Sequence, residues 1–356
     1  MTTRKLSIDP RELLLPNDVS GAQPFATRGA HTFKNVRGNP AQLRWWMAET
    51  AYAAYWKSHA ESRRTESSGD KLLAAAFQVD LSAIKFFKSK AKGAEVYVVS
   101  HPEADVLSFR GSEILGLEEN GPLQFDSVIK DWVRTDANAV KQPWARLSST
   151  PKAHTGFAKA MDALLDQTNG ISTFFADIIK TGRPLYICGH SLGGAMAMLA
   201  AAYCAENGIA KERIKVFTFG APLVGGRGFA NLFTGIAVER FVFQFDIVPR
   251  VPVASVSWPV PPFIVFDGFS TDEGIAYRHV PANYFLIDGD ATSMSEHTSV
   301  NGINDFKQYL VYLSASGGQV FLGIPLPIDL ISRLPNLVLN HSPLYYAVGT
   351  WNIAGL

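Results

Sequence analysis

Gly189-His-Ser191-Leu-Gly193 sits between an apolar run, Leu185-Tyr-Ile-Cys188, and an Ala/Met-rich run that begins at Leu192. A buried strand, a serine flanked by glycines and a helix, in that order, describe a nucleophile elbow. A strand that turns at once into a helix holds its serine in a strained backbone. It also brings chain segments so close that a Cβ at 189 or 193 would clash. Ser191 is thereby lifted to the carboxyl edge of a sheet, near the positive end of the following helix. The competing reading is an ordinary glycine-rich turn; the strand before it and the helix after it favour the elbow. His190 is expected to point away from Ser191 and to act as packing.

A serine becomes a nucleophile when a base takes its proton, and the base needs a carboxylate to orient its ring. In a parallel sheet carrying such an elbow the chain order is Ser, then Asp or Glu, then His. Asp246 ends the apolar strand Arg240-Phe-Val-Phe-Gln-Phe and precedes Ile247-Val-Pro-Arg250. On local grounds it fits equally the orienting acid and a turn-capping Asp. Three histidines follow it. His279, in Tyr277-Arg-His-Val-Pro, reads as structural, whereas His297 and His341 each occupy a loop ahead of a helical run. Spacing does not separate these two, because triad members meet only in space.

The elements that must position these groups follow from periodicity. Residues 1–40 are rich in Pro, Gly, Asn and Arg without a period and are expected as an irregular N-terminal arm. From Ala41 a helical pattern buries Trp45, Ala48, Tyr52 and Tyr55 or Trp56, and Leu72 to Phe87 reads as a helical run with a short turn. Glu95–Ser100 and Asp105–Arg110 are expected as a hairpin. Further strands are expected at 185–189, 215–219, 241–245 and 283–287, with helices at 156–166, 172–180 and 192–207. That alternation predicts an α/β fold with a mostly parallel central sheet flanked by helices. Ser191, Asp246 and the late histidines must converge, so 41–356 is read as a single domain.

Composition narrows the function classes. Charged residues are 18% of the 356, and 33 Lys and Arg against 32 Asp and Glu give a formal net charge of +1. Such a balance provides no bulk field for a nucleic acid. The two cysteines, Cys188 and Cys204, lie in apolar surroundings and read as buried free thiols. No ligand cluster suggests a metal or cofactor. No apolar run is long enough for a membrane span, since Val320 to Leu339 is broken by Pro325, Pro327 and Pro335. The N-terminus lacks the apolar core of a secretory signal, which predicts a cytoplasmic protein or one exported without a leader.

With the elbow and the acid in view, the chain resembles the class 3 lipase family, from about residue 70 to the C-terminus. Phe109-Arg-Gly-Ser112 is similar to the family's F-R-G-T/S, Asp131-Trp-Val-Arg-Thr-Asp136 to its D-W-x-x-D, and His154-Thr-Gly-Phe157 to its H-x-G-F. Thr218-Phe-Gly-Ala-Pro-Leu-Val-Gly225 is similar to T-F-G-x-P-x-V-G, and Phe245-Asp-Ile-Val-Pro-Arg250 to the segment that bears the family's acid. Tyr277-Arg-His279 is similar to a Y-x-H that is not catalytic. The resemblance implies an α/β-hydrolase fold, Asp246 as the acid, and an oxyanion hole from Ser112 and the backbone N–H of Leu192. It also ranks His341, in Asn340-His-Ser-Pro-Leu-Tyr-Tyr346, above His297, and makes 288–339 an insertion.

By the same resemblance the chain is expected to hydrolyse carboxylic esters of lipids, as a triacylglycerol lipase or esterase, through an acyl-enzyme at a lipid–water interface. A phospholipase A1, a feruloyl esterase or a membrane-targeting effector on the same scaffold is the alternative. A lipid-binding protein without turnover is the rival from another class. Residues 113–133 occupy the place of the family's lid. Ile114, Leu115, Leu117, Phe125 and Trp132 give that stretch an apolar face, which suits either a mobile cover or a packed connecting helix.

Overall fold

The computed structural model describes residues 24–25, 29–56, 68–89, 94–111, 141–167, 170–243, 246, 248–250, 277–288, 291–297 and 341–355. The oxyanion candidate Ser112, the lid candidate 113–133, Asn340 and the apolar stretches 258–269 and 320–339 lie outside the described residues.

The arm is less irregular than its composition suggests. The Thr32 hydroxyl accepts from Asn35 N (3.3 Å) and starts a one-turn helix, α1 (Phe33–Val36), whose Phe33 and Val36 are buried. Asn39 caps the next helix, α2 (Pro40–Ala53), with Pro40 at its first position, where no N–H is needed. α3 (Gly69–Phe77) ends where Gln78 turns left-handed, at φ 55°. Residues Ile84 to Phe87, expected as the end of a helical run, instead form strand β1 (Ile84–Lys88), which pairs antiparallel with β2 (Glu95–His101). The early helix stop and the two phenylalanines, which suit a pleated surface better than a helix end, account for the difference.

β2 forms the expected hairpin with β3 (Ala104–Phe109). A short ribbon, β4 (Lys141–Pro143) with β5 (Lys152–His154), leads into α4 (Thr155–Leu165) and α5 (Ile171–Thr181). Then come β6 (Leu185–His190), α6 (Leu192–Glu206), β7 (Ile214–Phe219), α7 (Arg227–Asn231), β8 (Ala237–Phe243), β9 (Asn283–Ile287), β10 (Met294–His297) and α8 (Pro343–Ala354). The main sheet has eight strands in the order β1-β2-β3-β6-β7-β8-β9-β10. β3, β6, β7, β8 and β9 run parallel, and antiparallel strands close both edges.

Successive residues of each strand face opposite layers. Val96, Leu107, Ile187 and Val216 join a core with α4, α5 and α6. Tyr97, Val106, Cys188 and Phe217 join a second core with α1, α2, α3 and α8. β8 begins at Ala237, four residues before the expected start, because its polar Glu239 and Arg240 are buried in pairs. Glu239 meets Arg44 (2.8 Å) and Lys215 (2.7 Å), and Arg240 meets His279. β10 extends the sheet, so Met294–His297, within the stretch expected as an insertion, pair antiparallel with β9 at the sheet edge.

Glu49 is a buried carboxylate on α2. Its oxygens accept from Phe25 N (2.8 Å) and Trp45 Nε1 (3.1 Å), yet burial outweighs these bonds and raises its pKa from 4.5 to about 7. The folded state therefore holds this proton more tightly than the unfolded chain. Its contribution to stability is full below about pH 4.5 and is lost as pH rises to about 7. Thermal melts should show wild type losing Tm relative to Glu49→Gln across that window. Parallel pH curves for the two proteins would refute the assignment.

Candidate active site

Ser191 joins β6 to α6 with φ 57° and ψ −131°, a conformation costly for a residue with a Cβ. The turn is held by its surroundings. Ser191 N donates to Phe219 O (2.9 Å), and a Cβ on Gly189 would stand 2.2 Å from Gly193 O. A Cβ on Gly193 would stand 2.1 Å from Phe109 O, so α6 packs directly on the end of β3. Leu192 is the first residue of α6, where a backbone N–H has no carbonyl one turn back and is available to an oxyanion. Gly111, next to Ser112, passes beside the same turn, and a Cβ there would lie 3.0 Å from Ser191 Cβ.

The acid and one histidine meet on the same edge of the sheet. His341 Nδ1 bonds Asp246 Oδ2 at 2.6 Å, with both residues buried. The Asp246 carboxylate makes further bonds. Its Oδ2 also accepts from the Tyr346 hydroxyl (2.6 Å), and its Oδ1 accepts from Val248 N (2.8 Å). The turn contact and the histidine contact, rivals on the sequence alone, are thus made by different oxygens of one carboxylate. Tyr346 in turn accepts from Phe243 N (3.0 Å), so α8 is fastened to the end of β8.

The arrangement leaves His341 Nε2 buried without a hydrogen-bond partner among the described residues. With Nδ1 bonded to the carboxylate, Nε2 is the nitrogen available for proton transfer. Apo sites commonly keep such a contact loose until substrate arrives.

Gly220 is a site element that the sequence reading matched only as part of a motif. Its φ is +61°, and a Cβ there would stand 2.7 Å from Asp246 Oδ2 and 2.9 Å from His341 Cε1. The end of β7 therefore presses on the Asp246–His341 pair, and only glycine combines that backbone with that space.

His297 has a different environment. It ends the edge strand β10, is exposed, and bonds Ser295 Oγ through Nε2 at 3.0 Å. It had been placed in a loop ahead of a helix. Its alternation with Ser295 in the edge strand accounts for the difference. His279 packs on Arg240, and His154 caps α4 by accepting from Gly156 N (3.1 Å) and Phe157 N (3.4 Å). Burial holds His154 near a pKa of about 4 and hence neutral, as an acceptor must be.

His190, expected as packing, is packed, and its neighbours are what the sequence did not show. It is fully buried, with its centroid 4.5 Å from that of His341 and its Nδ1 2.7 Å from the Tyr55 hydroxyl. The signal missed was Tyr55 itself, read only as part of a packing stripe. Both cysteines are buried and free, and burial pushes the Cys188 thiol up to about 12, so neither is a competing nucleophile. Among the described residues no group of three or more His, Cys, Asp and Glu side chains is placed to hold a metal ion, and no helix is long and apolar enough to cross a membrane.

A serine at a strand-to-helix elbow, with an acid and a histidine delivered from later in the chain to the same sheet edge, defines an α/β hydrolase. Within that class the chain is class 3 lipase-like: residues 106–256 match the family described as Lipase (class 3). The Lipase of Rhizomucor miehei is 36% identical over 136 residues, covering 36% of this chain and 36% of its own. Toxin TseL of Vibrio cholerae serotype O1 is 24% identical over 287 residues, covering 72% of this chain and 41% of the toxin. The chain thus spans less than half the length of these curated relatives. Among solved structures, the nonglycosylated Yarrowia lipolytica LIP2 lipase aligns with a TM-score of 0.50 and 19% identity, over 75% of this chain and 89% of that one. That likeness concerns the fold alone.

Proposed function

We propose that this protein is a serine hydrolase that cleaves the carboxylic ester bonds of lipids, acylglycerols first among them. The observation that carries the reading is the buried His341–Asp246 bond, formed on the sheet edge where Ser191 occupies its strained turn. In the proposed reaction Ser191 attacks the ester carbonyl while His341 Nε2 takes its proton. Asp246 holds the ring in the tautomer that leaves Nε2 free and stabilises the imidazolium. His341 then gives the proton to the departing alcohol, and water repeats the cycle on the acyl-enzyme.

The tetrahedral oxygen is received by the backbone N–H of Leu192, together with Ser112 as the resemblance implies. One preset donor of this kind is worth about 2.7 to 4 kcal/mol in the transition state. Lipid is the proposed substrate because the curated relative with 36% identity is a lipase.

A panel of triacylglycerols, phospholipids and short p-nitrophenyl esters, run on wild type and Ser191→Ala, tests this. Hydrolysis of acylglycerols that disappears in Ser191→Ala is expected. Hydrolysis of phospholipid alone would move the assignment to a phospholipase, and unchanged turnover in Ser191→Ala would remove the serine mechanism.

A further inference from the structure

His190 and Tyr55 stand against the proposed base, and the reaction as written gives them no part. Tyr55 follows α2, ahead of the 106–256 segment that matches the lipase family. Its hydroxyl lies under Gly111, where a glycine Cβ would be only 2.2 Å from it. The Gly111 N–H bears on the Tyr55 oxygen. Burial raises the pKa of the Tyr55 phenol, so it keeps its proton, and His190 Nδ1, 2.7 Å away, is within reach as its acceptor. A histidine accepting at Nδ1 is neutral or it cannot accept. His190 is kept so: burial, and then the neighbouring His341 ring, hold its pKa well below the usual histidine value.

The His190 ring is inclined 38° to that of His341 at 4.5 Å between centroids, and Tyr346 lies on it at 5.6 Å. Among the described residues, the groups facing His190 are Tyr55, His341 and Tyr346. Asp246 lies beyond His341, and the Arg110 guanidinium lies 5.9 Å over the Tyr55 ring. A second imidazolium here would oppose the one that must form on His341.

We propose that Tyr55 and His190 are positioning residues for the base. The hydroxyl ties the Gly111 peptide to His190, and the neutral His190 ring is the wall that fixes the His341 imidazole without competing for its proton. The inference rests on His341 being the base. It adds that a segment from the N-terminal part of the chain couples the oxyanion strand to that base.

The test is Tyr55→Phe, which keeps the ring and removes only the tie. With a soluble p-nitrophenyl ester, kcat is expected to fall about tenfold, the size of one hydrogen bond lost, with KM unchanged. Without the donor on Nδ1, His190 takes up a proton more readily, so the acid limb of kcat/KM moves to higher pH. The double variant Tyr55→Phe/His190→Phe retains an aromatic wall but has no second titrating ring. Its acid limb should return to the wild-type position while kcat stays low, which a merely structural role would not produce.

Imidazole titrations by NMR give the same answer without turnover. The His190 ring should stay neutral in wild type through the range where exposed histidines protonate, and should titrate at higher pH in Tyr55→Phe. Activity that depends on Ser191 but has the same kcat, acid limb and His190 titration in Tyr55→Phe overturns the inference and leaves the hydrolase reading intact. Absent esterase activity, or activity surviving Ser191→Ala, overturns the hydrolase reading, and the NMR titration then still decides whether Tyr55 controls His190.

Discussion

His341→Ala is expected to reduce kcat for a soluble ester by about 10⁴ to 10⁶, the range seen when one member of a Ser-His-Asp unit is removed, while His297→Ala leaves kcat at the wild-type level. The reason is geometric. His341 is buried on Asp246 with a 2.6 Å bond and an Nε2 that has no partner among the described residues, whereas His297 is exposed on the edge strand and bonded to Ser295. The loss should fall on kcat, since the base acts in the transition state and a small ester is bound without it. Circular dichroism should show the variant folded, because the scaffold around α8 is also held by Tyr346 on Asp246 and Phe243. The reverse pattern, loss in His297→Ala alone, would transfer the base to the edge strand.

The second large effect is on stability. Gly193→Ala places a methyl 2.1 Å from the Phe109 carbonyl oxygen and 2.8 Å from the Arg110 carbonyl carbon. Both are backbone atoms of the strand end beside the elbow and have no rotamer by which to yield. Either α6 moves off β3 or the β3–β6 pairing opens. We expect a destabilisation above about 4 kcal/mol, which only a few mechanisms reach, seen as loss of soluble protein or a large drop in Tm. Gly228→Ala is the control, since a Cβ at that helical position meets nothing within 4 Å. It should be neutral or stabilising by about 0.5 to 1 kcal/mol. Equal Tm values for the two variants would mean that the elbow is not as tightly packed as described.

The sequence was most informative where local chemistry and long-range structure ask for the same residues. Gly189, Ser191 and Gly193 are such a place: the strained turn, the strand before it and the helix after it all show in the residue pattern. The parallel strands β6, β7 and β9 were legible as short runs dominated by apolar residues. Where buried charge interrupts a run, the reading faltered. The start of β8 at Ala237 was not visible because the partners of Glu239 and Arg240, namely Arg44, Lys215 and His279, are distant in sequence. β1 was concealed by the apolar run leading into it, which continues past the true helix stop at Gln78. The place of His190 could not be seen because it depends on Tyr55, 135 residues earlier. Asp246 looked ambiguous because its carboxylate makes both contacts that were weighed, one oxygen to Val248 N and the other to the His341 ring.

The central claim is that Ser191 is an activated nucleophile, and covalent capture tests it most directly. Protein treated with an organophosphate such as diethyl p-nitrophenyl phosphate is predicted to gain a single diethylphosphoryl group by intact mass, mapped by peptide fragmentation to Ser191. The label should be absent from Ser191→Ala and strongly slowed in His341→Ala. A protein that takes up no label, or carries it on another residue, would contradict the account.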